Sequence, residues 1–254
     1  MTPPPLQLSA TVFTHQGAVR QDNEDCIALG ARVISAPMAA PVMLVQRVEA
    51  PLVCLVADGM GGHAAGEVAS RAVAERLAAQ AARAVDEAAL TALLREINAG
   101  LFELMREQPA LRGMGTTVAG VVVGFADSLV FNVGDSRVYR SAAAGLLQLS
   151  TDDTPGPKLA DGRTAASTSN LITQILGGHY HDEIVPHVVS DPLDEPRRYL
   201  ICSDGLSDLL DPAAIAALLQ QDDDAAAVRA LFEAAMAQGG RDNISIVLLN
   251  VRRR

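Results

Sequence analysis

Short apolar runs along the chain predict β-strands. Residues 6–14 have the β-branched and apolar composition of a strand, and residues 52–57 (LVCLVA) form a continuous apolar run of the kind found in buried strands. Further strands are predicted at residues 118–125, 129–133, 137–140, 184–189, 199–202 and 244–251. The first three of these follow one another closely, which predicts an antiparallel meander.

Two alanine-rich stretches after Gly66 predict helices. Apolar residues recur at helical spacing in the second stretch: Leu90, Leu93, Leu94, Ile97, Leu101, Leu104 and Met105. Asp86 is expected to cap this helix, and Pro109 with Gly113 to end it. Two more helices are predicted over residues 212–219 and 225–236.

The order of these elements predicts the fold class. Strands come in runs and helices in pairs, which favours two antiparallel sheets packed together with helices outside over a parallel βαβ fold. We therefore expect an α+β fold, a four-layer α-β-β-α sandwich, with residues 1–254 forming a single domain. Residues 150–170 are polar and rich in Pro, Gly, Thr and Ser, and they are longer than an ordinary connection, which predicts a functional flap.

Carboxylates are placed at what the pattern predicts to be the ends of apolar strands. Four motifs share this context: Arg20-Gln21-Asp22-Asn23-Glu24-Asp25, Asp58-Gly59-Met60-Gly61-Gly62, Ser203-Asp204-Gly205 and Gly240-Arg241-Asp242-Asn243. Strand ends converge in a sandwich, and two carboxylates ~4 Å apart repel by about 4 kcal/mol at an effective dielectric near 20. Bound cations make such a cluster tolerable, and hard oxygen ligands select Mg²⁺ or Mn²⁺ over zinc. Each motif singly is also an ordinary turn signal, so the prediction rests on all four.

The net charge and the cysteines of the chain indicate which partners it can bind and in which compartment it works. The chain has 30 acidic and 20 basic residues and a net charge of −10, which disfavours binding to nucleic acid or to anionic membranes. Its three cysteines, Cys26, Cys54 and Cys202, lie far apart in or beside apolar runs, which is not typical of a disulfide framework. The first ten residues lack the segments of a secretory signal, and no apolar run approaches the about 20 residues that span a bilayer. We therefore expect a cytoplasmic protein.

In this order and at this spacing, the motifs resemble those of the metal-dependent protein phosphatase family, or protein phosphatase 2C, in its bacterial form. The resemblance covers nearly the whole chain, and it rests on residues 17–20, 56–62, 113–117, 133–137, 203–206 and 242–243. It implies a hydrolase that uses two divalent cations to activate a water molecule against a phosphoryl group.

The resemblance also implies roles for individual residues. Asp58 would bridge the two cations, Asp204 and Asp242 would complete the first cation site, and Glu24 with the Gly59 carbonyl would complete the second.

Four further residues are implied outside this ligand set. Asp25 would orient the metal-bound water, and Arg20 would clamp the substrate phosphate, since a guanidinium binds two phosphate oxygens at once. Bacterial members often hold a third, weaker cation, and Asp135 with Asp208 match the positions that would bind it.

The chain departs from the family pattern in three places. Some members have a histidine two residues after the bridging aspartate as a general acid, whereas this chain has Met60; His63 is nearby, but a structural or solvated role is favoured for it. A Thr-x-Asp-His-Ser-like sequence is usual where this chain has Ser150-Thr151-Asp152-Asp153-Thr154, and Gln174 stands where an arginine often follows the threonine. The block at residues 113–117 is expected to serve close packing.

Three functions remain open from the sequence. The first is a phosphatase acting on phosphoserine or phosphothreonine in proteins, opposing a Ser/Thr kinase. The second is a non-catalytic regulatory module of the same fold, against which the intact Glu24, Asp58, Asp204 and Asp242 argue. The third is a metal-dependent phosphomonoesterase acting on small molecules. The absence of a coiled-coil pattern is compatible with a monomer.

Overall fold

The computed structural model describes residues 6–61, 65–142, 145–155, 171–178, 183–221 and 223–253. Two antiparallel sheets pack face to face, and helices cover the outer face of each sheet. This arrangement confirms the predicted α+β fold with four layers. In the described part of the chain, no helix is both long and apolar enough to cross a membrane.

Among the described residues, the first sheet has six strands: β1 (Leu6–His15), β4 (Val42–Arg47), β9 (Arg137–Ala142), β10 (Gly145–Gln148), β13 (Arg197–Cys202) and β14 (Ile244–Arg253). Their order is β10-β9-β13-β14-β1-β4, and every neighbouring pair is antiparallel. The longest pairing runs from Leu6 opposite Arg253 to His15 opposite Ile244. Strands β13 and β14 lie at the centre of this sheet, and β1 lies between β14 and the edge strand β4.

The second sheet has eight strands in the described ranges: β2 (Asp25–Leu29), β3 (Arg32–Ile34), β5 (Leu52–Met60), β6 (Gly115–Thr116), β7 (Val118–Val123), β8 (Asp127–Val133), β11 (Leu176–Gly177) and β12 (His187–Pro192). The main order is β11-β6-β5-β7-β8-β12, and β2 pairs with both β3 and β5. Strand β5 is apolar from Leu52 to Ala57 because the other sheet covers one of its faces and helices cover the other.

Within the part of the chain that the structure describes, five α-helices lie outside the sheets: α1 (Ala65–Gln80), α2 (Glu87–Glu107), α3 (Asp204–Ser207), α4 (Pro212–Leu218) and α5 (Asp224–Ala237). Short 3-10 turns follow α1 at Ala81–Arg83 and α2 at Pro109–Leu111. The predicted cap of α2 is confirmed, since the Ala89 N–H donates to the Asp86 carboxylate at 2.8 Å, and α2 ends two residues before Pro109.

Three apolar clusters hold the layers together. Helices α1 and α2 pack on the second sheet through residues such as Leu77 and Leu94, and α4 and α5 pack on the first sheet through Ile215 and Leu231. The cluster between the sheets includes Ile27 of β2, with Val56 and Val247 from the two central strands. Full burial of each such side chain contributes about 1.5–3 kcal/mol, so the inter-sheet layer fixes how the strand ends face one another.

The structure corrects the predicted meander. Strands β7 and β8 do form an antiparallel hairpin, but β9 leaves that sheet and pairs with β10 and β13 of the other one. The switch occurs at Gly134, whose φ of 102° bends the chain away from β8. The alternation of apolar residues predicts a strand but does not say which sheet the strand joins.

Several strands were not predicted: β2, β3, β4, β6, β10 and β11. Strand β4 is an edge strand whose residues are mostly exposed, so it has no clear alternation of buried and exposed positions. Residues 156–170, the larger part of the predicted flap, lie outside the described residues.

Candidate metal centre

The acidic motifs meet at one end of the sandwich. Asp25 is the first residue of β2 and lies directly opposite Asp58 of β5. Asp204 begins α3 directly after β13, and Asp242 lies two residues before β14, the antiparallel neighbour of β13. The expectation that every motif ends a strand was therefore wrong for Asp25 and Asp242, which are at strand starts. They still meet the others because an antiparallel strand begins where its neighbour ends.

A cavity of about 390 Å³ opens at this end of the molecule. It is lined by Arg20, Gln21, Asp22, Glu24, Asp58, Gly59, Met60, Gly61, Asp204, Asp242 and Asn243. Every lining residue that carries a positive charge or a carboxylate belongs to one of the four sequence motifs. The cavity therefore has an acidic floor and one arginine at its side.

Asp25 lies behind the cavity and has no exposed surface. The Ser203 hydroxyl donates a hydrogen bond to its Oδ2 at 2.8 Å, while its Oδ1 has no hydrogen-bond partner. Burial raises the pKa of Asp25 to about 7, against the lowering effect of hydrogen bonds from Ser245 and Ser203, and repulsion from Asp204 adds to the rise. A buried carboxylate with an unpartnered oxygen is costly unless a positive charge lies near it.

Asp58 and Asp204 show the same perturbation. Burial raises the pKa of Asp58 well above its usual range, and repulsion from Asp25 and Asp204 adds to it. Burial, followed by repulsion from Asp242, raises the pKa of Asp204 to about 6. The Oδ1 atom of Asp204 is also buried without a hydrogen-bond partner. Three carboxylates in one place are thus driven towards their neutral forms by burial and by one another.

The backbone approaches closely around these carboxylates. A Cβ atom on Gly59 would lie 2.3 Å from the Gly66 carbonyl oxygen, and one on Gly205 would lie 2.0 Å from the Asn243 carbonyl oxygen. The glycines that follow Asp58 and Asp204 are therefore required by contact with neighbouring backbone. This is a stronger constraint than the tight turns inferred from the sequence.

Glu24 is held by its main chain. Its N–H donates to the Asn243 side-chain oxygen at 2.8 Å, and its carbonyl accepts from the Ser70 hydroxyl at 2.6 Å. Burial raises the pKa of the Glu24 carboxyl, which Arg20 counteracts. The side chain lies against Gly66 at the start of α1, where an added Cβ would be 2.8 Å from the carboxylate carbon.

Arg20 forms a salt bridge with Asp242. Its Nη2 donates to Asp242 Oδ2 at 2.6 Å, and 55% of the arginine side chain is exposed. A guanidinium carries five N–H donors, so this bond leaves the group able to contact a further anion in the cavity. The hydrogen bond and charge of Asp242 raise the pKa of Arg20 above its ordinary value.

Asp135 and Asp208 lie beside the cavity, not in its lining. Burial raises the pKa of Asp135 to about 7, with repulsion from Asp204 next, and its Oδ1 is buried without a hydrogen-bond partner. Burial likewise raises the pKa of Asp208, which Arg137 counteracts. The turn that carries Asp135 is thus electrostatically connected to the cavity through Asp204.

The donor set fits hard divalent cations. All the candidate ligands are carboxylate or carbonyl oxygens, and buried oxygens of Asp25, Asp135 and Asp204 have no hydrogen-bond partner. Among the described residues, however, no three His, Cys, Asp or Glu side chains stand already gathered around one ion position. The salt bridge to Arg20 occupies one oxygen of Asp242, so an ion that uses that oxygen must compete with the arginine.

The departures from the family pattern have different positions. Met60 lines the cavity, whereas His63 lies outside the described residues.

The block at residues 113–117 does more than pack. The Thr116 hydroxyl and the Thr117 N–H donate to the Asp58 carbonyl at 2.8 and 2.9 Å, so this block also fixes the strand that carries Asp58.

Sequence reasoning missed two supporting residues. Asn243 is buried, and its side-chain amide donates to the carbonyls of Asp22 and Gln16 at 2.9 and 3.1 Å in addition to accepting from Glu24. Ser203 holds Asp25. Each is the sequence neighbour of a carboxylate in one of the four acidic motifs, Asp242 for Asn243 and Asp204 for Ser203. That adjacency could have identified them from the sequence.

Comparisons with known proteins agree with this geometry. The family model described as protein phosphatase 2C matches residues 42–246. The serine/threonine protein phosphatase PstP of Mycobacterium tuberculosis is 34% identical over 259 aligned residues, which cover 97% of this chain and 45% of PstP. This chain therefore spans about half the length of that relative.

Two further matches extend over whole chains. The serine/threonine phosphatase stp of Listeria monocytogenes is 29% identical over 258 residues, which cover 95% of each protein. The crystal structure of the catalytic domain of PstP in complex with two manganese ions matches with a TM-score of 0.77 at 34% identity, and covers 97% of this chain and 99% of that one. The fold is thus shared with that catalytic domain over nearly the entire chain.

Proposed function

Because the chain belongs to the protein phosphatase 2C family, we propose that it is a metal-dependent phosphatase acting on phosphoserine and phosphothreonine in proteins. The observation that carries the proposal is the meeting of Glu24, Asp58, Asp204 and Asp242 with Arg20 around one cavity. The catalytic domain of the mycobacterial relative, which holds two manganese ions, supports it.

We assign the cation ligands as follows. Asp204 and Asp242 would hold one Mn²⁺ or Mg²⁺, Glu24 and the Gly59 carbonyl would hold the second, and Asp58 would bind both. When bound, such a pair of cations supplies Lewis-acid stabilisation of phosphoryl oxygens and a more acidic water as the nucleophile. The unpartnered oxygen of Asp204 and the raised pKa values of the cluster support these assignments.

The remaining assigned residues act on the substrate and on protons. Arg20, at the exposed side of the cavity, would bind phosphate oxygens by charge-assisted hydrogen bonds. Asp25, buried behind Asp58, would accept a hydrogen bond from the attacking water and so orient it. We also assign Asp135 and Asp208 to a third, weaker cation.

The biological setting is part of the proposal. The protein would act as a single catalytic domain and as a monomer, on phosphorylated proteins that include targets of a Ser/Thr kinase, and would serve in signalling. Its three buried free cysteines support a reducing, cytoplasmic setting. The names of the bacterial relatives, which are serine/threonine phosphatases, support the substrate class.

The proposed activity is tested by phosphate release from a phosphothreonine peptide and from p-nitrophenyl phosphate, with Mn²⁺, with Mg²⁺ and with EDTA. We expect turnover of the peptide that EDTA abolishes and either cation restores. Hydrolysis of p-nitrophenyl phosphate but not of the phosphothreonine peptide would favour the small-molecule alternative. A folded protein inactive with both cations would favour the regulatory module.

A further inference from the structure

Asp153 occupies the position where the family pattern has a histidine. Its hydrogen bonds join its own segment to three others: the turn at Gly134, residues 173–174, and the start of β12 at His187. Its side chain is only 12% exposed. Its Oδ1 lies 2.9 Å from His187 Nε2, and its Oδ2 accepts from the Gln174 amide at 2.9 Å and from the Gly134 N–H at 2.8 Å. Its own N–H donates to the Gly134 carbonyl at 3.0 Å, and its carbonyl accepts from the Thr173 N–H at 2.7 Å.

Both oxygens of the Asp153 carboxylate are therefore fixed. Gln174, where the family pattern often has an arginine, is itself held, since it accepts from the Val185 N–H at 2.6 Å and donates to the Val185 carbonyl at 3.0 Å. His187 is the first residue of β12, so it is held by the second sheet. The two departures from the family pattern, at positions 153 and 174, thus bond directly to each other.

The hydrogen bonds of Asp153 also hold the turn between β8 and β9. Asp153 accepts from the Gly134 N–H, and the neighbouring Asp152 forms a bidentate pair with Arg137, whose Nε donates to Oδ1 at 3.1 Å and whose Nη2 donates to Oδ2 at 2.7 Å. From the opposite side, the Thr117 hydroxyl lies 2.8 Å from that of Ser136. The residues on both sides of Asp135 are therefore pinned, while Asp135 has a buried oxygen with no hydrogen-bond partner.

We propose that Asp153 is a positioning residue for Asp135. By fixing Gly134, it holds the Asp135 carboxylate towards Asp204 and Asp208 and thereby sets the affinity of the third cation. The inference rests on the cation ligands assigned under the proposed function. It concerns a residue that contacts no cation itself, and such outer-shell residues typically change metal affinity by about 10–100-fold when they are removed.

Calorimetric titration of the metal-free protein with Mn²⁺ tests this role without relying on activity. In the wild type we expect two tighter binding events and a weaker third. Asp153→Ala is expected to weaken the affinity of the third event at least about tenfold, and Asp135→Asn is expected to do the same. The affinities of the two tighter events are expected to stay within about threefold of the wild-type values. Asp153→Asn keeps an oxygen that can accept from Gly134, so it is expected to retain most of the third event.

A matched control is Asp127→Ala. Asp127 is at the other end of β8 and also accepts one side-chain hydrogen bond, from Ser190 at 2.9 Å. Its removal is expected to leave all three events unchanged. If Asp153→Ala does not fold, His187→Ala and Gln174→Ala, which loosen the carboxylate without deleting it, must each weaken the third event by a smaller factor.

Several outcomes would overturn the proposal. The first is a third binding event that is unchanged in Asp153→Ala, or unchanged in both His187→Ala and Gln174→Ala. The second is an Asp153→Ala variant in which all three binding events weaken equally. The third is a wild-type protein that shows no third binding event. Failure of the proposed function looks different. A wild type that binds three ions but releases no phosphate contradicts the phosphatase, and the role of Asp153 stands if its variant still loses the third event.

Discussion

Asp25 of β2 and Asp58 of β5 stand directly opposite each other in an antiparallel strand pair. Residues paired in this way point to the same face of a sheet, and like charges in such a pair destabilise it. Here Asp25 is fully buried, Asp58 lines the cavity together with Asp204, and repulsion contributes to the raised pKa of both Asp25 and Asp58. This relationship is a cost to the isolated fold that bound cations would offset.

The first prediction concerns pH and stability in EDTA. The pKa of Asp25 is about 7 in the folded protein and about 4 in an unfolded chain. Between these values the folded state binds more protons, so the contribution of Asp25 to stability is present at low pH and is lost as pH rises from about 4 to about 7. Asp25→Asn is therefore expected to gain stability relative to the wild type over this range, by up to ~1.4 kcal/mol per pH unit.

Urea denaturation of both proteins from pH 5 to pH 8, with EDTA and with Mn²⁺, measures this difference. Mn²⁺ is expected to stabilise the wild type at pH 7.5 and to reduce or reverse the advantage of Asp25→Asn. A difference in unfolding free energy that is the same at every pH in EDTA would contradict the assignment of a strained carboxylate at this position.

The second prediction separates the two partners of Arg20. Its salt bridge with Asp242 is half-exposed, so Arg20→Ala is expected to change the free energy of unfolding by no more than about 1 kcal/mol. Loss of the phosphate contact is expected to raise KM for a phosphothreonine peptide about tenfold or more. Mn²⁺ affinity is expected to stay equal or to increase, since Asp242 no longer pairs with the arginine.

Arg71→Ala is the matched control for Arg20. Arg71 also forms a half-exposed salt bridge, with Glu67 at 3.1 Å, and it does not line the cavity. It is expected to leave KM unchanged. If Arg20→Ala also leaves KM unchanged, Arg20 does not bind the substrate phosphate.

The third prediction concerns Asn243, whose side chain holds Glu24, Asp22 and Gln16. Asn243→Ala removes these bonds at a buried position, and each buried group left without a partner costs about 1–3 kcal/mol. We expect both a lower free energy of unfolding and weaker stabilisation by Mn²⁺, because the main chain of Glu24 is released.

Asn250→Ala provides the comparison. Asn250 lies in β14, which begins directly after Asn243, and it donates to Asp224 at 2.6 Å, away from the cavity. Thermal denaturation with and without Mn²⁺ is expected to show full stabilisation by the cation in this variant. Equal cation stabilisation in Asn243→Ala would contradict the supporting role.

Much of the fold was predictable because its signals are local. Strand β14 is a long apolar run between clear ends, and α2 has both a helical apolar stripe and the Asp86 cap. Strand β9 was placed in the wrong sheet because the change of direction depends on packing at Gly134 and not on strand periodicity. Edge strand β4 was missed because neither of its faces is fully buried.

The candidate site was predictable to a similar depth. The motifs and the family resemblance identified the carboxylates, since acidic residues beside apolar strands are visible in the sequence. The register that opposes Asp25 to Asp58 depends on strand pairing, and the bond from Arg20 to Asp242 joins residues 222 positions apart. The role of Asp153 needs the positions of Gly134 and His187, which no local pattern provides.

The central claim is that Asp58 joins two cations in a hydrolytic centre. The most direct test is phosphate release from a phosphothreonine peptide by Asp58→Asn at saturating Mn²⁺, together with its Mn²⁺ affinity and its circular dichroism spectrum. We predict a folded protein that binds Mn²⁺ more weakly and turns over at least about 10³-fold more slowly, since phosphate-monoester hydrolysis is among the slowest uncatalysed reactions. Turnover near that of the wild type would contradict the account.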